Sequence, residues 1–467
     1  MRWSWLDSHF GVGAPLSVNK RQMETTTTIF SLGRTTMMHN LSRRRLLGAA
    51  GAGAVLAAIP LRAIAQDEVN LNFVVWNYSL DTIQDNISKF EAGHPGVKVA
   101  LTDYTWPDYF DTMMLRLRSN TPTHVMYCGE DWLPGWALAG WLVPIEDHYP
   151  AITSYKDKIT NYAVRDMTYK GKLYGLPYYA DLITFQYNQK ILDDNKIPVP
   201  TTWEEVLEAS LKLKRTGMEK PFVYEYNQTL PNFYQAFVSQ VYGRGGQMFD
   251  ADLNPLFNDP GSEAFKHLQW LQDAVKKHDI VAFENHESRI IPAMNTGKHA
   301  FSVLFNYVLA AMNEKATQPL AGQFSMALMP GKVQACLGFC KFYAMTSQAA
   351  EDDKLRDATW QFIEFMGGGD YQIAKRWAQE KGLGFAQLPL FDDPGVQKAW
   401  SSWINVETFK KQATLAINGT QTEWLGMWSG FFRPLIAKTM VGESSVADTM
   451  DAGAKRWLEL RKLVRGS

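Results

Sequence analysis

Aromatic side chains stand beside carboxylates or amides in the segments Trp76-Asn77, Glu130-Asp131-Trp132 and Asn306-Tyr307. Each segment follows a short apolar run that is typical of a buried strand. A flat aromatic face next to hydrogen-bonding groups favours non-covalent recognition of a molecule with apolar faces and polar edges, such as a carbohydrate. Core packing of Trp76 and helix capping by Asp131 are the alternative explanations.

Residue patterns that indicate a metal centre or a nucleophile do not occur in the sequence. It contains no HExxH, CxxC, P-loop or GxSxG segment, so we predict no metal, no cofactor and no ATP hydrolysis by this chain. Asp and Glu are plentiful, and a secreted glycoside hydrolase with paired carboxyl groups therefore stays open as an alternative. The eightfold strand–helix repeat of the common hydrolase barrel is not visible.

Residues 1–65 are predicted to be an N-terminal extension plus a signal peptide. Ser42-Arg43-Arg44-Arg45 precedes a mildly apolar run over 48–59, and Ala63-Ile64-Ala65 offers small residues for cleavage. The paired arginines and the weak apolar run favour a twin-arginine (Tat) signal. A membrane anchor needs about 20 strongly apolar residues, more than this run contains. We therefore expect export to the periplasm, a mature chain from Gln66, and a translation start near Met37 or Met38.

Removal of that segment makes the chain acidic. The full sequence has 47 Lys or Arg and 48 Asp or Glu, for a net charge of −1. Residues 1–65 hold eight basic and two acidic residues, so their loss takes the net charge from −1 to −7. Nucleic-acid binding depends on basic patches, and an acidic surface argues against it.

The apolar periodicity after the signal alternates between strand and helix. It predicts strands over 69–76, 97–101 and 125–128, with helices over 81–92 and 108–118 between them. This order indicates a parallel α/β sheet. Ligands of such sheets bind beyond the carboxyl ends of the strands, which is where Trp76-Asn77 and Glu130-Asp131-Trp132 fall.

Other residues are predicted to be structural. Thr202-Trp203-Glu204-Glu205 has the pattern of a capping box, with Thr202 as the N-cap and Glu205 reaching back to it, so Trp203 is expected to pack in the core. Cys128, Cys336 and Cys340 are expected to be buried thiols, although a pairing of Cys336 with Cys340 stays open.

Six segments in order over the whole mature chain resemble the extracellular solute-binding proteins of carbohydrate ABC importers, the maltose-binding-like group. They are the strand ending in Trp76 with His94-Pro95-Gly96-Val97, Ala139-Gly140-Trp141-Leu142-Val143-Pro144-Ile145, Gly171-Lys172-Leu173-Tyr174-Gly175-Leu176-Pro177, Pro200-Thr201-Thr202-Trp203-Glu204-Glu205, Gly245-Gly246-Gln247-Met248-Phe249-Asp250, and Met294-Asn295-Thr296-Gly297-Lys298-His299-Ala300-Phe301. The sequence departs from the family at Thr123-His124-Val125 and His299-Ala300-Phe301.

The resemblance implies an α/β, two-lobed periplasmic binding protein fold of type II with several chain crossovers. Lobe one is expected over 66–176 and 337–390, and lobe two over 177–336 and 391–467. A sugar would bind in the cleft between the lobes, which would close by a hinge motion. The implied partners are the membrane permease and its cytoplasmic ATPases, with the binding protein a monomer that catalyses nothing.

The resemblance also implies further ligand contacts. Tyr178, Tyr179 and Asp181 enter lobe two beside the hinge, and Gly338-Phe339 lies where the chain re-enters lobe one. The remaining candidates are Tyr226, Tyr242 and Gly245 at the edges of lobe two, and Trp424, which either reaches the cleft or packs in the core with Trp428. A non-sugar solute, such as a polyamine or a glycerol phosphate, stays open as the alternative ligand.

Overall fold

The computed structural model describes residues 68–466, and the predicted signal peptide lies outside them. The strands of this range are β1 (Val69–Trp76), β2 (Val97–Tyr104), β3 (Val125–Cys128), β4 (Thr168–Tyr169), β5 (Lys172–Leu173), β6 (Gly175–Asn188), β7 (Phe222–Glu225), β8 (Val281–Glu284), β9 (Phe301–Phe305), β10 (Phe324–Ala327) and β11 (Gly338–Met345).

Helices fill most of the chain between the strands. They are α1 (Leu80–Gly93), α2 (Trp106–Arg118), α3 (Leu133–Leu138), α4 (Ile145–His148), α5 (Asn161–Asp166), α6 (Gln189–Asp194), α7 (Trp203–Arg215), α8 (Pro231–Arg244), α9 (Glu263–Lys276), α10 (Glu287–Met294), α11 (Tyr307–Met312), α12 (Ser347–Ala350), α13 (Asp353–Gly367), α14 (Gln372–Lys381), α15 (Pro394–Trp400), α16 (Val406–Leu415), α17 (Leu425–Met440) and α18 (Val446–Arg465). Two 3₁₀ segments cover Pro150–Lys158 and Leu388–Asp392.

One large sheet runs through the described residues, with the strand order β2-β1-β3-β11-β6-β9-β7-β8. The strands β1, β2 and β3 are parallel, as are β7, β8 and β9. The long strand β6 joins the two parallel groups: its first half pairs with β11, and its second half pairs with β9 and β10. Because β6 runs from one parallel group to the other, side chains near its middle lie close to strand ends of both groups.

The elements predicted from periodicity are confirmed, with small differences in length. Strands β1 and β3 match their predicted ranges, and β2 extends to Tyr104 because β1 pairs with it in register up to Trp76. Helix α2 begins at Trp106 and not at residue 108, since Thr105 takes the extended N-cap position and Pro107 is tolerated in the first turn.

The capping prediction at α7 is confirmed for Thr202 and corrected for Glu205. The Thr202 hydroxyl accepts a hydrogen bond from the Glu205 backbone N–H at 3.2 Å. The Glu205 carboxylate, however, accepts from the backbone N–H and hydroxyl of Thr201, at 2.7 and 2.9 Å, one residue earlier than a capping box requires. Trp203 is fully buried, as predicted.

All three cysteines are buried and unpaired. Cys340 lies in β11 and Cys336 just precedes it. Four residues of extended chain span about 13 Å, far beyond the Cα separation of a disulfide. The open alternative of a Cys336–Cys340 bridge is therefore wrong in this structure.

The described residues form one compact unit. The lobe boundaries predicted at 176, 336 and 390 therefore stay predictions, and the first of them falls inside β6. No helix within residues 68–466 is long and apolar enough to cross a membrane.

Candidate functional site

Trp76, the last residue of β1, lies at the centre of a cluster of aromatic rings. Its ring centroid is 5.1 Å from that of Trp106 and 6.3 Å from that of Trp132, both edge-on. Tyr178 and Tyr179 of β6 lie 5.9 and 6.4 Å from it. Trp76 and Tyr178 are buried, whereas the other three rings are partly exposed. The partly exposed rings are therefore the ones whose faces a ligand can reach.

A buried ion pair lies beside these rings. The Lys341 Nζ atom is 2.7 Å from Oε2 of Glu130 and 3.6 Å from Oδ1 of Asp131. The same ammonium group lies 5.3 Å from the ring centroid of Trp132 and 5.4 Å from that of Phe339, within the range of a cation–π contact. Burial raises the pKa of Glu130 to about 6, even though Lys341 acts in the opposite direction.

The backbone at Gly129 allows this close approach. A Cβ atom at residue 129 would lie 2.7 Å from Oδ1 of Asp131 and 3.0 Å from Nζ of Lys341. A larger residue at this position would therefore displace one or both charged groups from these places. Lys341 was missed by the sequence reasoning, although it is the one charged residue in the otherwise apolar strand β11.

Asp181 lies at the middle of β6, fully buried. One of its oxygens, Oδ1, accepts hydrogen bonds from the backbone N–H of Gly384 at 2.7 Å and from Nδ2 of Asn306 at 3.0 Å. Asn306 in turn accepts from the backbone N–H of Leu182, so it ties the end of β9 to β6. The other oxygen, Oδ2, has no hydrogen-bond partner. Burial raises the pKa of Asp181 to about 7.

Tyr307 follows the end of β9 and is held from two sides. Its hydroxyl donates to the Glu287 carboxylate, with both oxygens at 2.8 Å. Its ring stacks on Phe305 at 5.5 Å, and Phe305 contacts Phe339. Burial raises the pKa of Glu287. Tyr307 and Phe339, two of the predicted site residues, therefore both pack against Phe305.

Glu225 ends β7 and is a further carboxylate that the sequence reasoning missed. It is 3% exposed and its Oε1 atom has no hydrogen-bond partner. Burial, and then the charge of Glu287, raises its pKa to about 8. Its position at the carboxyl end of a strand, beside the predicted Tyr226, is the signal that could have found it.

The buried acceptor atoms of this region that have no hydrogen-bond partner include Oδ1 of Asp131, Oδ2 of Asp181 and Oε1 of Glu225. A buried polar atom without a partner costs free energy. Hydroxyl or amine hydrogens of a bound solute would satisfy them. We take the region around these atoms and the partly exposed rings as the candidate site.

The other predicted residues have structural contacts. The Tyr226 hydroxyl donates to the Ala437 carbonyl, and Gly245 ends α8 with a φ of 92°. The backbone N–H groups of Asn77 and Gly338 donate to Tyr104 and Ile417, Tyr242 is buried, and fully buried Trp424 packs on Trp457 at 5.3 Å. A ligand role for this set stays a prediction.

A surface groove of about 660 Å³ lies elsewhere, lined among others by Gln323, Trp403 and Asn405. None of the predicted site residues lines it. Among residues 68–466 no three His, Cys, Asp or Glu side chains are grouped so as to hold a metal ion.

A family model for bacterial extracellular solute-binding proteins matches residues 86–408, more than half of the chain. The chain belongs to this family. The match begins within α1 and covers β2 to β11 as well as Asp131, Asp181 and Glu225.

Two curated relatives of this solute-binding protein are sugar-binding proteins by name. It is 24% identical over 181 residues to the maltotriose-binding protein of Pyrococcus abyssi and 23% identical over 291 residues to the multiple sugar-binding protein of Streptococcus mutans. These alignments cover 38% and 60% of this chain, and 37% and 64% of the relatives' own lengths.

Solved structures show the fold. The maltose-bound MalE3 protein of T. maritima superposes with a TM-score of 0.73 at 16% identity, covering 84% of this chain and 100% of that one. The GacH receptor of Streptomyces glaucescens, solved unliganded and with acarbose, gives 0.72 at 18% identity, covering 85% and 99%. The predicted two-lobed binding-protein fold is thereby confirmed for this solute-binding protein.

Proposed function

We propose that this protein captures a sugar or short oligosaccharide and delivers it to the permease of an ABC importer. The observation that carries the proposal is the pairing of partly exposed rings with buried, unpartnered carboxylate oxygens at the meeting point of the strand ends. Rings suit the apolar faces of a pyranose, and the acceptor atoms suit its hydroxyl groups. A solute that lacks a matching hydroxyl group leaves a buried acceptor unpaired and binds much more weakly, which makes the site specific.

The comparisons support this ligand class, since the relatives are named for maltotriose and for multiple sugars. The protein would act in the periplasm after export through the Tat-type signal, as a monomer that docks on the permease in its closed state. Capture requires no bond to be broken, and the proposed role includes no catalysis.

Thermal unfolding of the mature chain from Gln66, with mono-, di- and trisaccharides and polyamines, tests the ligand class. A ligand at a hundredfold excess over its Kd stabilises the folded state by about 2.7 kcal/mol. We expect a clear rise in Tm with at least one sugar, which chromatography recovers unchanged. A rise with polyamines alone would contradict the sugar assignment, and hydrolysis of the sugar would contradict a pure binding role.

A matched pair of variants locates the site. Trp132 and Trp403 are both half-buried tryptophans, one in the cluster and one in the remote groove. We expect Trp132→Ala to weaken sugar binding by about tenfold to a hundredfold, the scale of losing one stacked ring and its buried area. Trp403→Ala should leave the Kd unchanged. The reverse pattern would move the sugar to the groove.

A further inference from the structure

Asp181 and Glu225, which are both buried, and Glu287, which is partly exposed, form an electrostatically connected group at one side of the candidate site. Glu287 starts α10, while Asp181 and Glu225 come from β6 and β7. Strand β9 lies between β6 and β7 in the sheet, and the two residues that follow it connect the acids: Nδ2 of Asn306 donates to Asp181 and the hydroxyl of Tyr307 donates to Glu287. The charge of Glu287 also contributes to the raised pKa of Asp181 and Glu225. Tyr307, hydrogen-bonded to Glu287, also feels the charge of Asp181.

Asp181, Glu225 and Glu287 differ from Glu130 and Asp131 in their charge environment. Glu130 and Asp131 share the ammonium group of Lys341. In the described part of the chain no Lys or Arg forms an ion pair with Asp181, Glu225 or Glu287. Asp181 accepts from a backbone N–H and from the Asn306 amide, and Glu287 accepts from the Tyr307 hydroxyl. Glu225 is hydrogen-bonded to the side chain of Asn232.

Two observations beyond the acidity point to a ligand. Asp181 is fully buried and Glu225 is 3% exposed, and each keeps one oxygen without a partner. Burying several carboxylates without a cation is costly, and the cost falls when a positive charge arrives. A neutral hydroxyl would satisfy hydrogen bonds but would not supply the positive charge that favours the ionised form of these acids.

We propose that the captured solute is a sugar that carries a positively charged amino group, and that this ammonium group binds among Asp181, Glu225 and Glu287. The proposal rests on the sugar-binding function above and specifies its ligand class. The three acids would accept the N–H hydrogens, while Trp132 and Tyr179 offer ring faces to the sugar. Lys341 would remain bound to Glu130 and Asp131.

Isothermal titration with glucosamine, chitosan disaccharide, their N-acetylated forms, glucose and spermidine tests the proposal, because acetylation removes the charge and keeps the ring. We expect an amino sugar to bind at least about tenfold more tightly than its acetylated form at about pH 7, as expected for hydrogen bonds to charged groups. Equal or tighter binding of a neutral sugar would overturn the amine site and leave sugar capture standing. Tighter binding of spermidine than of every sugar, or no binding of any sugar, would overturn both.

A matched pair of variants tests the acids directly. Glu287 and Glu364 both accept a hydrogen bond from a tyrosine hydroxyl, from Tyr307 at 2.8 Å and from Tyr155 at 3.0 Å. We expect Glu287→Gln to lower the affinity for the amino sugar about tenfold to a hundredfold, and Glu364→Gln to have no effect. Circular dichroism and Tm report whether each variant folds. An unchanged Kd in folded Glu287→Gln would refute the proposal, and Asp181→Asn provides the second variant if Glu287→Gln does not fold.

The pH dependence gives an independent readout. The titratable or charged groups on the elements around the acids include Glu284, the register partner of Glu225 on β8, together with Tyr78, Tyr179, Tyr224, His286 and Tyr307. Since an ammonium group requires ionised acids, the affinity for the amino sugar should rise severalfold from about pH 5.5 to about pH 7. An affinity that falls over this range would contradict the proposal.

Discussion

Replacement of Lys341 by methionine should destabilise the protein far more than the loss of an ordinary ion pair. Lys341 and Glu130 are 2.7 Å apart, and their side chains are only 6% and 7% exposed. Removing one member leaves Glu130 and Asp131 buried without their cation, which typically costs about 3–5 kcal/mol. Unfolding entropy of about 2.1 cal/mol/K per residue over roughly 400 residues turns this into a fall in Tm of about 4–6 °C.

Differential scanning calorimetry of Lys341→Met and of a surface control measures the effect. Lys190 and Asp194 form a pair of nearly the same length, 2.8 Å, but with side chains 59% and 57% exposed. We expect Lys190→Met to cost less than about 0.5 kcal/mol. The double variant Lys341→Met/Glu130→Gln should recover part of the loss, because the uncompensated charge is gone. Equal losses in both single variants, or no recovery in the double variant, would refute the reasoning.

Three further predictions concern stability and accessibility. Thr202→Ala should lower the free energy of unfolding by about 1 kcal/mol in a urea titration, through loss of the cap on Glu205 N–H; an unchanged midpoint would contradict the role of the cap. Burial raises the pKa of Asp181 from 3.8 to about 7, so between these pH values the folded protein keeps a proton on Asp181 that the unfolded chain has lost. The contribution of Asp181 to stability is therefore fully present below about pH 4 and is lost as the pH rises to about 7. Asp181→Asn should therefore flatten the measured fall in stability across that window, and an unaltered slope would assign it to other groups. A thiol reagent should find no reactive cysteine in the native chain and three after denaturation, since burial raises the pKa of Cys128, Cys336 and Cys340; fast labelling of the native protein would contradict their burial.

The strand–helix alternation and the strand ends could be read from the sequence because they depend on local periodicity. Strands β1 and β3 match their predicted ranges, and Thr202 caps α7 as its residue type and spacing indicate. Burial of Trp203 followed from the same local pattern. The family resemblance added the two-lobed fold, which no local pattern contains.

The acidic half of the candidate site could be read only in part. Asp181 and Tyr307 were predicted, but Glu225 and Glu287 were not, since a carboxylate after a strand or at a helix start is usually a solvated residue or a cap. Only the packing of β6, β7 and α10 around one region removes water from them and raises the pKa of each acid.

By itself the sequence determined which segments form strands and helices, and which residue types stand at the strand ends, because both depend on neighbours a few positions apart. The tertiary structure decided that Lys341 is 2.7 Å from Glu130, 211 residues away in the chain, and that Asp181, Glu225 and Glu287 have no such cation. The balance of charge in a buried site depends on which distant side chains share the same low-dielectric volume, and that is fixed only when the strands pair across the sheet.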